Sequence, residues 1–158
     1  MILRSPNPGG GWRYQPQADG GEDTSCTMTV FHALASARQA GIAVPNETIA
    51  KVVKYLKSVH DAETGGFAYI DGAGAGFPCT AGGAYIAQLA GQRDTAMVNA
   101  ALRHLKSQAP GIFTATQYYC YGHYYAIQAM VQAGDEEYSK WYPQIRDALV
   151  SQQTAQGA

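Results

Sequence analysis

Two adjacent carboxyls, Glu22 and Asp23, open the stretch Glu22-Asp23-Thr24-Ser25-Cys26-Thr27. At the rim of an apolar cavity such a pair pushes one pKa upward, and an acid held protonated that way can protonate an alkene or an epoxide. The same residues have a plainer use, with Asp23 as the N-cap of a helix and Glu22 as a favourable charge beside its dipole. A second set is aromatic: Trp12, Tyr14, Phe67, Tyr69, Tyr118, Tyr119, Tyr121, Tyr124 and Tyr125. Rings lining a cavity can hold a cation or an apolar ligand, at roughly 0.5–2 kcal/mol per ring for a cation. Rings wedged between helical elements simply pack, their hydroxyls satisfied by turn carbonyls. Cys120 and His123 form a third set, one helical turn apart. Two ligands do not complete a tetrahedral site, so no metal and no cofactor is expected, and His123 joins the tyrosines around it as a candidate ligand contact. His32, His60 and His104 have no evident partner and read as surface or packing residues.

The elements that must position these groups come in repeats. Gly10-Gly11-Trp12 returns as Gly65-Gly66-Phe67 and, degraded, as Gly111-Ile112-Phe113. Each is followed by a helix start bearing a cysteine, at Cys26, Cys79 and Cys120. Spacings of this size allow two helices per unit, which gives units of about 9–64, 65–110 and 111–154 within a single domain. The first helix runs from Asp23 or Thr24 to about Ala40, with Gly41 as its left-handed stop. Thr80 to Ala90 and Thr116 to Ala133 are its counterparts, closed by Gly91 and Gly134. All three are almost uncharged, as expected of helices buried on several sides. The intervening helices are amphipathic. Ile49, Val52, Val53, Leu56 and Val59 share one stripe, and Met97, Val98, Ala101, Leu102 and Leu105 share another in a helix capped by Asp94. Beyond Asp135 a short turn, Glu136 to Lys140, precedes a last helix that starts near Pro143.

Composition narrows the partners. A net charge of -1 gives no basic footprint, so nucleic acid is not expected. No apolar run reaches the roughly 20 residues of a membrane span, and Met1 to Gly11 lacks the apolar core of a signal peptide. Three cysteines without C-x-x-C spacing favour a reduced, intracellular setting.

Hairpins whose first helices all lack a polar face must hide those helices together, as an α-solenoid or as a closed α/α ring. In a ring the inner helix starts gather at one mouth, lined by the turns before them, where free backbone N–H groups favour anions. The sequence resembles the repeats of the terpenoid cyclase and protein prenyltransferase superfamily, which are α/α toroids. The Q-W type of repeat is matched by Tyr55-Leu56, His60 (where glutamine is usual) and Gly65-Gly66-Phe67. Leu105 to Gln108 with Gly111 to Phe113 matches it again, and Gly10-Gly11-Trp12 and Leu149 with Ser151 to Gln153 supply a tail and a head.

That resemblance implies an all-α toroid or solenoid of about three hairpins, six helices in all. It also implies an inner surface that receives an isoprenoid or similar apolar ligand. Class II triterpene cyclases carry D-x-D-D-T, with the general acid at the third position. Aligned on Asp23-Thr24, Glu22 takes the acid position, Asp23 the fourth, and Gly20 replaces the first aspartate. Prenyltransferases of the superfamily bind zinc through Asp, Cys and His, but Tyr118 stands where the aspartate is needed before Cys120. Toroids of this kind close with more hairpins than three. The chain is therefore expected to be a segment of a longer protein, an open arc or incomplete ring, or half of a two-chain ring whose uncharged end flanks associate. A catalytically silent repeat module that binds a protein or a polysaccharide is the alternative.

Overall fold

The computed structural model describes residues 2–15, 21–109, 111–113, 117–155 and 157. Six α-helices order them: α1 (Thr24–Gln39), α2 (Asn46–Ser58), α3 (Phe77–Leu89), α4 (Ala96–Gln108), α5 (Tyr119–Ala133) and α6 (Asp135–Gln152). One-turn 3₁₀ segments lie at Ile2–Arg4 and Gly111–Phe113. Among the described residues there is no strand, only two isolated bridges that tie His60 to Phe67 and Ala68 to Ala75 in the turn before α3. α3 is the centre of the molecule, flanked by α1 and α5 and backed by α4, while α6 packs on α5. The nearly uncharged helices α1, α3 and α5 thus form an inner row and α2, α4 and α6 an outer one.

The repeat is visible atom by atom in the first two units. The Trp12 amide donates to Thr27 Oγ1 and the Phe67 amide to Thr80 Oγ1, both at 3.0 Å. Each threonine is the fourth residue of its helix. The first glycine of each pair, two residues before the aromatic, has a left-handed φ and lies on the backbone of the outer helix: Gly10 (φ +106°) on the Lys51 carbonyl of α2, Gly65 (φ +79°) on the Ala100 carbonyl of α4. α1 and α3 also end alike. Gly41 and Gly91 follow with φ of +82° and +83°. The Ile42 amide then reaches Ala37 O and the Gln92 amide Ala87 O, each at 2.9 Å, which satisfies carbonyls that a helix end leaves free. The third unit departs from this pattern. Its fourth helical residue is Gly122, because the Phe77 ring lies where a side chain would go.

Several boundaries differ from those expected. α3 starts at Phe77 rather than Thr80, with Pro78 in its first turn, where a missing N–H costs nothing. α4 is capped by Thr95, whose Oγ1 accepts from the Val98 amide, and not by Asp94. α5 starts at Tyr119; Thr116 lies outside the described residues. α6 is one continuous helix through Pro143, in place of a short turn and a separate last helix. An interior proline costs a helix about 3 kcal/mol or more. Here Trp141 and Ile145, buried on either side of it, can offset that at roughly 1.5–3 kcal/mol each, and Tyr138 stacks on Tyr142 across the same turn.

The inner helices are not equally sheltered. α3 is buried from Phe77 to Gln88 apart from Pro78, with Gly82 and Gly83 admitting Met28 and the Phe67 ring. α1 and α5 each keep an exposed side, having an inner-row neighbour on one flank only. Cys79 is buried, Cys26 half-buried and Cys120 exposed, so the three repeat starts are not equivalent. α5 begins one residue later relative to its cysteine, and one residue is about 100° of helix rotation.

Candidate functional site

Asp23 is fully buried at the start of α1. Its Oδ1 accepts from the Cys26 amide at 2.7 Å and from the Ser25 hydroxyl at 2.6 Å, which makes it the N-cap. Its Oδ2 is buried with no partner among the described residues. Glu22 does a different job: its Oε1 accepts from the Gly9 amide at 2.6 Å and anchors the glycine turn. The two carboxyls are therefore not a matched pair facing one space.

Around Asp23 the helix start is tied into the neighbouring repeat. The Thr24 amide donates to Tyr69 O at 2.8 Å, and Thr24 Oγ1 donates to Ala68 O at 2.7 Å and lies 3.1 Å from the Tyr55 hydroxyl. At α1 the Thr24, Cys26 and Thr27 amides, expected to favour an anion at this mouth, are thus engaged by protein oxygens. Burial, with the Asp23 charge as second cause, raises the Cys26 and Cys79 thiols to about 11 each. Because only the thiolate reacts, a thiol at 11 is about one part in a thousand reactive at pH 8. At high dilution, where the chain is monomeric, alkylation at pH 8 should label the exposed Cys120 first, and Cys26 and Cys79 only as the pH approaches 11 or the chain unfolds. Peptide mapping of a time course reads this directly, and fast labelling of Cys79 at pH 8 would contradict its burial.

The aromatic residues divide into two groups. Trp12 and Phe67 are sealed in the core, Trp12 donating through Nε1 to Ile2 O at 3.1 Å. Neither offers a face to a ligand, so the expected ligand contact at these positions gives way to stapling of the glycine turns. His123 is likewise 2% exposed, boxed by Tyr119, Phe77, Phe113 and Trp141 with ring centroids 4.7, 4.8, 5.6 and 6.4 Å away. It is a packing residue and does not join Cys120, which faces outward. Among the described residues no group of three or more His, Cys, Asp or Glu could hold a metal ion.

The other rings gather between α1, α3 and α5, with Tyr85 and Tyr125 buried and Tyr69, Tyr121 and Tyr124 partly exposed. Tyr69 has its hydroxyl raised to about 12, first by burial and then by its hydrogen bond with Tyr14. Ser25 O accepts from Tyr121 across at α5, 3.4 Å away. Tyr121 meets Tyr125 edge-on at 5.3 Å, and Tyr125 meets Tyr124 at 5.0 Å and Tyr85 at 6.1 Å. His32 of α1 meets Tyr85 at 5.2 Å, and Thr29 Oγ1 lies 3.3 Å from the Tyr125 hydroxyl. α1 and α5 therefore reach each other over α3 through one uncharged aromatic band. Tyr14 and Tyr118 are 72% and 65% exposed near its mouth end, and Tyr119 turns away, its hydroxyl donating to Phe113 O. His32 and Tyr85 were not expected here, although aligning Cys26 with Cys79 places them at one register. Clefts of about 270 and 450 Å³ lie at the opposite end of the row around Arg38, Ile49 and Leu89, away from the carboxyls. In comparisons of the whole sequence, no protein-family model matches this chain and no curated protein matches it significantly.

Proposed function

We propose that this chain is a segment of an α/α toroid of the terpenoid cyclase and prenyltransferase kind, whose inner face binds an isoprenoid or similar apolar ligand. The observation that carries the reading is the uncharged aromatic cluster shared by α1, α3 and α5, in which Tyr69, Tyr121 and Tyr124 stay partly exposed above the buried Tyr125 and Tyr85. Tyrosine offers a large, stiff, apolar surface with a polar tip, which suits an elongated ligand with few hydrogen-bonding groups. Binding rather than turnover is favoured, because Glu22 is committed to Gly9 and Asp23 to the helix cap.

Titration calorimetry with farnesol and geranylgeraniol tests it. Micromolar binding is expected, and Tyr69→Ala with Tyr121→Ala, both at partly exposed positions, should weaken it at least tenfold, the equivalent of about 1.4 kcal/mol. No heat with either alcohol, or equal affinity in the double variant, overturns the reading. A second reading, an uncharged polysaccharide laid along the band, is favoured by the open, hydroxyl-bearing rings of Tyr14, Tyr118 and Tyr121. Retention on an insoluble neutral polysaccharide, with no binding of either alcohol, would select it.

A further inference from the structure

Among the described residues no further helix packs on the two ends of the inner row, and we infer that they are covered by a second copy of this chain, each copy's α5 docking on the other's α1. On α5, Cys120, Tyr124, Ile127 and Val131 recur at i, i+4, i+7 and i+11; Val131 is 50% exposed, Ile127 is half-buried against the core, and Tyr124, 54% exposed, keeps one edge on Tyr125 and His32. On α1, Cys26, Val30, Ala33 and Ala37 recur at the same spacing, and all four are exposed or half-buried. Neither stripe contains a charge. Matched stripes of this period on parallel helices are the pattern by which helices pack side by side.

The joints already present inside the molecule show what such a contact looks like. Met28 of α1 lies against Gly82 of α3, and the Phe77 ring of α3 against Gly122 of α5, a bulky side chain on a small one each time. The free flanks offer the same match, with Tyr124, Ile127 and Val131 on α5 facing the small Cys26, Ala33 and Ala37 of α1. Charge selects the same pairing. The α1–α2 hairpin carries Arg38, Lys51, Lys54 and Lys57 against Glu47, a net +3. The α5–α6 hairpin carries Asp135, Glu136, Glu137 and Asp147 against Lys140 and Arg146, a net -2. Basic end meets acidic end. Since each copy holds one flank of each kind, two copies related by a two-fold axis satisfy all four and leave none to propagate.

Light scattering on a sizing column, with the full chain over a wide concentration range, tests the pair. A mass of twice 16.9 kDa is expected, weakening with salt. Ala37→Glu and Val131→Lys should each give monomers with unchanged helical circular dichroism. Mixing the two variants should restore the dimer, because the acid added to one α1 meets the base added to the other α5 while the second junction stays native. Ala33→Glu, at an exposed position, repeats the test if Ala37→Glu disturbs the helix. A monomeric wild type overturns the proposal, as does a dimer that survives both Glu variants, a mixture that stays monomeric, or a mass that keeps growing past two chains.

Discussion

Replacing Gly10 by alanine should destabilise the protein by more than about 3 kcal/mol, a large part of the roughly 5–15 kcal/mol that holds a domain of this size together. Two effects add at that position. Its φ of +106° is a conformation that side-chain-bearing residues rarely adopt, and a Cβ there would be driven into the Lys51 carbonyl of α2, backbone that cannot swing aside. Gly65→Ala should follow closely, with φ +79° and an added Cβ 2.8 Å from Ala100 O. The controls are Gly41→Ala and Gly91→Ala, whose φ values of +82° and +83° are just as left-handed but whose added Cβ would meet nothing within 4 Å. These should cost only the conformational penalty, about 1–2 kcal/mol. Urea unfolding of the four variants gives the ranking, with Gly10 and Gly65 well apart from Gly41 and Gly91. If all four cluster together, the glycine turns are not held against the outer helices, and the repeat as described here is wrong.

That contrast also explains what the sequence could reveal. The spacing from glycine to aromatic to threonine is local and recurs, so the turn-plus-helix unit could be read directly, and Gly41 and Gly91 marked the ends of α1 and α3. Pro78 held the information that α3 begins early, since a first-turn proline is a start signal. Pro143 pointed the wrong way. A proline reads as a break until it is known that Trp141 and Ile145 are buried beside it, and that depends on tertiary packing. The candidate site was only partly legible for a similar reason. Residue type announced that aromatics mattered, but whether a ring faces the core or the inner surface depends on helix phase. Trp12, Phe67 and His123 fell inside, whereas Tyr121 met Tyr125, and Tyr125 met Tyr85 and His32, which their own types had not singled out.

Asp23 is where the structural and chemical readings separate, and its two simplest variants should behave oppositely. Asp23→Ala removes the acceptor for the Cys26 amide and the Ser25 hydroxyl in a fully buried place, so a loss of about 2 kcal/mol is expected, the upper end for an N-cap. Asp23→Asn keeps an oxygen at the Oδ1 position, and asparagine caps as well as aspartate does. It also exchanges a buried carboxylate, whose Oδ2 finds no partner among the described residues, for a neutral amide that costs less to bury. Stability within about 0.5 kcal/mol of the parent chain, or above it, is therefore expected for Asp23→Asn in thermal and urea unfolding. The thiols supply an independent readout. Because the Asp23 charge is the second cause that raises Cys26 and Cys79, removing it should lower both and speed their alkylation between pH 8 and 10, though burial keeps them above their ordinary value of 9.0. If Asp23 only caps, Asp23→Asn and Glu22→Gln will bind farnesol as the parent does. If instead the parent yields a cyclised product from squalene and Asp23→Asn, folded and binding normally, yields none, then the free oxygen of Asp23 is the seat of a proton and the capping role is only half of what it does.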